Sequence, residues 1–282
     1  MKMAHLIMAY KDPQQIERLI NKLSYKDIDF YIHLDKKINI LPFMYLQDIP
    51  RVRFTKNRFI VNWGGYSFVN AVLEGVREIL AFETTYDFIN VMSAQEYPIK
   101  PASYIYDFFS DHKEYSFLSY EEFGSEWWIQ GIERVEKYSL TDFNFVGKHY
   151  LQSVINYLMP KRKFPLPYTL FGGGCSTWWT LNKSCAEYVI DFLDKNERVK
   201  SFSRFIWAPD EIMIPTIIMN SPFKNKVINN NLRYIDWSLG GTNPKILTVE
   251  DFDKLKESDK LIARKFDIKV DTAILDLLDT VL

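Results

Sequence analysis

The first 120 residues alternate short apolar runs with segments of helical period, and no other feature limits the possible folds as sharply. Residues 5–10 (HLIMAY) form an apolar run of strand length. Residues 13–23 follow with Ile16, Leu19, Ile20 and Leu23 at helical spacing, which predicts an amphipathic helix. Residues 30–35 (FYIHLD) and 51–55 (RVRFT) predict two more strands. Residues 67–82 predict a long helix with Val69, Val72, Val76, Ile79 and Leu80 on one face. Residues 87–92 (DFINVM) are almost continuously apolar, as strands covered on both faces of a parallel sheet are. A helix over 101–109 and a strand over 115–118 complete the series. Such alternation predicts an α/β fold with a mostly parallel sheet flanked by helices.

The remaining residues are less regular. Residues 124–139 carry two tryptophans and mixed charge, and Leu151, Val154, Ile155 and Leu158 share one helical face. Residues 160–167 (PKRKFPLP) are basic and break regular structure. Residues 172–179 (GGGCSTWW) predict a loop entering a strand. Helices are expected over 182–194, over 209–219 with Pro215 inside it, and over 271–282. No internal repeat or low-complexity linker divides the chain, so residues 1–282 are expected to form a single catalytic domain. An unmarked divide near Tyr120 would separate a nucleotide-binding half, 1–120, from an acceptor and catalytic half, 121–282.

Composition excludes several classes of function. With 47% apolar residues the chain can bury a large core, which argues against disorder. A net charge of -1 argues against wholesale nucleic-acid binding. Cys175 and Cys185 cannot build a disulfide framework, so a reducing compartment is expected. No apolar run approaches the length of a spanning helix, and the N-terminal stretch lacks the features of a signal peptide. The expectation is a cytoplasmic protein. Its 16% aromatic content suits stacking on sugars or bases, and equally suits a core.

Common chemical motifs are missing. There is no phosphate loop, no dinucleotide fingerprint after the first strand, no nucleophile elbow, and no metal-ligand spacing among the four histidines. Two DxD triplets occur. Asp27 and Asp29 precede the second strand rather than end it, where a ligand site of an α/β sheet should lie. Asp251 and Asp253 fall in what looks like the acidic first turn of a helix.

Several strings stand instead at predicted strand ends and in later loops. They are His33-Leu34-Asp35-Lys36-Lys37, Asn62-Trp63-Gly64-Gly65-Tyr66-Ser67, Ser93-Ala94-Gln95-Glu96-Tyr97-Pro98-Ile99-Lys100 and Gly173-Gly174-Cys175-Ser176-Thr177-Trp178-Trp179. Further on come Ala208-Pro209-Asp210-Glu211, Asn230-Asn231-Leu232-Arg233 and Ala263-Arg264-Lys265-Phe266-Asp267. In this order and spacing the chain resembles the core-2/I-branching β-1,6-N-acetylglucosaminyltransferase family, which includes peptide O-xylosyltransferases and bacterial members. The resemblance runs over residues 4–268. It implies a GT-A-type, Rossmann-like fold and an inverting transfer from a UDP-sugar, with UDP-GlcNAc favoured, to a glycan or lipid-linked oligosaccharide. It also implies catalysis with no metal or other cofactor. By analogy with bacterial members, the product would belong to surface polysaccharide synthesis.

The resemblance assigns roles that the residues alone leave open. Glu211 on its own is a first-turn carboxylate complementing a helix dipole; the family places its general base there. Arg264 and Lys265 on their own are a solvated pair; the family places a diphosphate-binding lysine at Lys265. Some members carry a second cation near residues 241–247, where this chain has Thr242, so Lys245, Arg264 and Arg233 are candidates. Asp35, Trp63 and Gly64 are donor-site candidates, each with a turn or core role as the alternative. Glu96, often Asp in the family, either contacts sugar hydroxyls or holds its loop. Trp178 and Trp179 point to opposite sides of a strand, so one at most lines a site, and Trp178 is the donor-site candidate. Thr177 stands where xylosyltransferases have Asp. Trp127, Trp128, Arg134 and Tyr138 fall where family members bind the acceptor, and Trp128, Arg134 and Tyr138 are the acceptor candidates. The stretch Lys161-Arg162-Lys163-Phe164 is either a solvated loop or a peripheral membrane contact. Two other readings stay open: a metal-dependent transferase using Asp27 and Asp29, and a non-catalytic carbohydrate-binding protein.

Overall fold

The computed structural model describes residues 1–282. Its strands, in chain order, are β1 (Met3–Ala9), β2 (Ile28–Leu34), β3 (Val52–Phe54), β4 (Phe88–Ser93), β5 (Glu96–Pro98) and β6 (Ser116–Phe117). They continue with β7 (Glu121–Glu122), β8 (Phe171–Gly172), β9 (Trp179–Asn182), β10 (Val227–Ile228), β11 (Arg233–Ile235) and β12 (Ile262–Arg264). The helices are α1 (Pro13–Leu23), α2 (Tyr66–Leu80), α3 (Ala102–Asp111), α4 (Glu126–Glu136) and α5 (Lys148–Leu158). After them come α6 (Lys183–Lys195), α7 (Glu197–Ser203), α8 (Met213–Met219), α9 (Phe252–Glu257) and α10 (Ala273–Asp279).

The central sheet has the order β10-β6-β9-β4-β1-β2-β3. β1 pairs parallel with β2 and β4, and β2 with β3. Only β9 runs against its neighbours, β4 and β6. The expected mostly parallel sheet is therefore present, with one reversed strand supplied from the second half of the chain. The two halves suggested by the sequence interleave in this sheet.

β1 shows why its sequence is apolar throughout. Met3 and Ile7 face a cluster built with α1, α3 and α10, while Ala4, Leu6 and Met8 face a second cluster built with α2, α6 and α8. A strand covered on both faces has no polar side to offer. His5 is the exception on this strand. Its ring stacks on Phe30 and pairs with Asn90 at 2.8 Å, and burial lowers its pKa to about 3, so it is neutral.

A smaller sheet, β11-β12-β5, packs across the carboxyl end of β4. Its three-residue strands have no sequence period to announce them. It matters because it delivers Arg264, the last residue of β12, to the end of the main sheet.

The expected helix over 209–219 is broken. Residues Pro209–Glu211 form a single 3-10 turn, and α8 begins only at Met213. Helix α4, within the segment read only as aromatic and mixed in charge, spans Glu126–Glu136. α6 begins where Asn182 caps it, its side chain accepting from Cys185 N at 2.9 Å.

Candidate active site

The strand ends open into a cavity of about 560 Å³. Met8 and Ala9 of β1, His33 and Asp35 at the end of β2, and Ser93 of β4 line its floor. This is where an α/β sheet presents ligands, because the strands' carboxyl ends and their loops converge there. The buried Asp35 carboxylate accepts from Lys37 N at 2.9 Å and lies 3.4 Å from Lys37 Nζ. The opposite wall is Trp178, with the Arg264 guanidinium 5.0 Å from its ring centre, and Lys265 beside it.

Arg264 and Lys265 are uncommitted cations. Neighbouring ion pairs pass them by: Lys11 holds Asp267 and Lys245 holds Asp251. Arg264 Nε is buried with no hydrogen-bond partner. Burial first, and then the positive charges of Arg264 and Lys11, push the Lys265 pKa down. Two half-buried cations held side by side constitute a site that an anion would stabilise.

A second cavity, about 1010 Å³, opens beside the first. Arg134 of α4 stands in it between two indoles, 4.4 Å from the Trp207 ring centre and 5.0 Å from that of Trp127. Tyr138, Gln152 and Asn156 line the same cavity. Asn156 and Gln152 also hold its wall, accepting from Tyr138 N at 2.7 Å and Leu140 N at 2.8 Å.

Glu211 lies on the wall shared by both cavities, together with Trp63, Gly174, Trp237 and Thr242. The local backbone puts it there. Ala208 adopts φ 50°, Pro209 opens the 3-10 turn, and the helical path fails at Ile212 (φ -122°). Gly173 N donates to Glu211 O at 3.0 Å. A Cβ on Gly172 would come within 2.8 Å of that same carbonyl, so a side chain at 172 would displace the turn. The Glu211 side chain is 18% exposed and ion-paired with Arg134. Its pKa is raised to about 7, by burial first and then by the Asp210 carboxylate, against the pull of Arg134. Asp210 points into the smaller cavity and accepts from Thr177 Oγ1 at 2.6 Å.

The structure gathers Asp35, Trp63, Gly64, Trp178, Glu211, Arg264 and Lys265 around the smaller cavity, and Arg134 and Tyr138 around the larger. It places four other candidates away from both cavities. Glu96 and Arg233 form a sealed ion pair, Nε to Oε2 3.4 Å, with side chains 0% and 1% exposed, and neither lines either of the two cavities. Lys245 is spent on the buried Asp251 at 2.6 Å. Trp128 is buried, its Nε1 donating to Glu121 O at 3.2 Å; its neighbour Trp127 lines the cavity instead. Gly64, with φ +69°, is required chiefly by Trp207, whose Nε1 would lie 2.6 Å from an added Cβ.

The DxD alternative is also displaced. Asp27 pairs with the exposed Arg51, and Asp29 accepts from Tyr86 at the far end of β2 from both cavities. Asp251 makes a capping box with Thr248. In the basic stretch, Arg162 turns inward and donates to Phe202 O and Phe205 O, both at 2.7 Å.

Cavity residues such as Trp207 and Lys37 stand outside the sequence candidates, and Trp127 falls in the expected acceptor region without being preferred to Trp128. Lys37 stands two residues after Asp35, and Trp207 two before Pro209, so proximity to the strings was the available signal. No signal separated Trp127 from Trp128, because both lie on one short helix.

A strand-end cleft divided between two cavities, on a mostly parallel sheet with one reversed strand, agrees with the GT-A-type class that the resemblance implies. Within that class the chain belongs to the Core-2/I-Branching enzyme family, whose model matches residues 3–256. Curated relatives include Xylosyltransferase 1 of Homo sapiens, 27% identical over 97% of this chain and 29% of that protein. Xylosyltransferase 2 of Rattus norvegicus is 27% identical over 99% of this chain and 33% of that protein. The chain thus spans about a third of the length of these relatives. Among solved structures, galactosyltransferase LgtC in complex with donor and acceptor sugar analogs aligns with TM-score 0.45 and 11% identity, over 99% of this chain and 96% of that one. Mouse Xyloside xylosyltransferase 1 aligns with TM-score 0.43 and 9% identity, over 93% of this chain and 97% of that one. No helix of the chain is long and apolar enough to cross a membrane.

Proposed function

We propose that the chain is an inverting, metal-independent glycosyltransferase that moves a sugar from a UDP-sugar to a hydroxyl of a glycan acceptor. One observation carries this reading: Glu211 sits where two cavities meet, and only the smaller one holds the unpaired cations Arg264 and Lys265. The smaller cavity then takes the donor and the larger takes the acceptor. The acceptor oxygen attacks the anomeric carbon while the bond to the β-phosphate oxygen breaks. Glu211 takes the hydroxyl proton, and the electron pair of the broken bond leaves on UDP. Arg264 and Lys265 stabilise the charge that develops on the diphosphate, the task a divalent ion would otherwise perform. Asp35 receives hydrogen bonds from ribose or uracil, and Trp63 and Trp178 wall the donor.

UDP-GlcNAc is the favoured donor from the family resemblance. The relatives' names add UDP-xylose, and Asp210, held by Thr177, supplies a carboxylate beside the position where xylosyltransferases carry Asp. The acceptor is a hydroxyl of a surface polysaccharide or lipid-linked oligosaccharide.

Calorimetric titration of UDP in excess EDTA, and again with Mn²⁺, tests the reading. Binding that survives EDTA is expected, followed by transfer from one member of a panel of UDP-GlcNAc, UDP-xylose and UDP-galactose. Binding only with Mn²⁺ would overturn metal independence. Undiminished transfer by Glu211→Gln would overturn the assignment of the base.

A further inference from the structure

Helix α5 is amphipathic, but it is mounted the wrong way round for a core helix. Its polar residues Gln152 and Asn156 face inward and hold the 138–140 backbone, and none of its residues is buried. Tyr150, Leu151, Val154, Tyr157 and Leu158 recur at the i, i+3, i+4, i+7 spacing that places them along one stripe. Tyr150 is 78% exposed, Tyr157 88% and Leu158 70%. A stripe of this kind, left open by the fold, marks an interaction surface.

Charge and position identify the partner. No carboxylate side chain occurs between Asp142 and Glu187, and Asp142 itself is turned inward onto Ser67 N at 2.9 Å. Lys148 and His149 flank the stripe at its start, and the exposed Lys161 and Lys163 follow its end. Lys161 is paired with Glu136 at 2.5 Å, whereas Lys163 is free of such a partner. Apolar and tyrosine side chains on one face, with lysines at both ends and no acid on the helix itself, match the interface of an anionic bilayer; the carboxylates Glu133 and Glu136 of α4 are ion-paired with Lys137 and Lys161. The same helix lines the larger cavity through Gln152 and Asn156.

We infer that α5 docks the protein on an anionic membrane surface, with the mouth of the larger cavity held against the lipid headgroups. A lipid-linked acceptor could then reach the cavity without leaving the bilayer. Docking itself is independent of the sugar-transfer reading, because it is measured without turnover.

The test is co-sedimentation of the full chain with phosphatidylcholine vesicles, with and without phosphatidylglycerol, at low and high salt. Wild type is expected to sediment with the anionic vesicles at low salt, and high salt is expected to release part of it. Tyr157→Ser combined with Leu158→Ser should lower the vesicle-bound partition coefficient at least about tenfold, with an unchanged melting temperature. Lys161→Glu combined with Lys163→Glu should also lower it about tenfold, on anionic vesicles only. Wild-type protein that stays in the supernatant overturns the inference. So does equal partition of wild type and the Tyr157→Ser, Leu158→Ser variant. A concentration-dependent dimer in sedimentation velocity that this variant abolishes would overturn it too, by assigning the stripe to a second copy of the chain.

Discussion

Among the carboxylate–arginine pairs of this molecule, Glu211–Arg134 and Glu96–Arg233 are the two whose surroundings differ most sharply in access from a cavity. Arg233 is saturated. It donates to Glu96, to Asn231 O at 2.6 Å, to Asn90 Oδ1 and to Val91 O at 3.2 Å, beneath the sheet and away from water. Nothing can approach either partner, so the pair is a tie between β4, β5 and β11. Arg134 has one carboxylate and two indole faces, and its side chain is 22% exposed on a cavity wall. Under the proposed function, an acceptor entering there takes over contacts of the pair and leaves Glu211 free to receive a proton. The same two residue types thus yield a sealed structural tie or a pair open to a ligand, according to whether a cavity reaches them.

Mutations at the two pairs should therefore separate activity from stability. Glu211→Gln is expected to lower kcat by about 10³-fold or more with little change in UDP affinity, measured by initial rates and calorimetry. Arg233→Met should lower the free energy of unfolding by about 3–5 kcal/mol, because it strands the Glu96 carboxylate in the core. Urea denaturation checks this, and adding Glu96→Gln should recover much of the loss. Equal destabilisation by Arg134→Met would break the contrast between the pairs. Lys265→Ala tests the donor cavity and is expected to weaken UDP binding by about 10²-fold, with the acceptor KM unchanged. The smallest effect is on pH. A base with a pKa of about 7 must be ionised to act, so kcat/KM should fall as pH drops through about 7. Asp210→Asn removes a negative charge that opposes ionisation, so it should move this limb to lower pH. Arg134→Met removes a favourable positive charge and should move it to higher pH, each by about one unit.

Much of the fold was legible in the chain. β1, β2, β4, α1 and α2 follow directly from apolar period, because both faces of the sheet are covered and each helix buries one stripe. The break at Ile212 was not legible. Residues 209–219 read as one helix, and only packing against β8, where Gly172 meets the Glu211 carbonyl, shows why the turn stops. The short strands β5, β11 and β12 carry too few residues to display a period, so the sheet that positions Arg264 was invisible.

The candidate site was legible only through the order of its strings. Asp35, Trp63, Glu211, Arg264 and Lys265 do meet at one cleft, while Glu96, Arg233, Lys245 and Trp128 carry the same residue types into the core or onto a buried partner. A string records which side chain is present, not which cavity or partner lies beside it. Likewise, α5 shows a regular apolar stripe in sequence, and the natural expectation is that such a stripe faces the core.

By itself the sequence determined the alternation of strands and helices, the two covered faces of the sheet, and the residues at its strand ends, because these follow from local period and side-chain chemistry. Only the tertiary structure decided which arginine is free, which tryptophan of an adjacent pair lines the larger cavity, and which way α5 faces. Those outcomes depend on contacts between residues far apart in the chain, such as Arg134 with Glu211 and Arg233 with Glu96, and no local pattern encodes them.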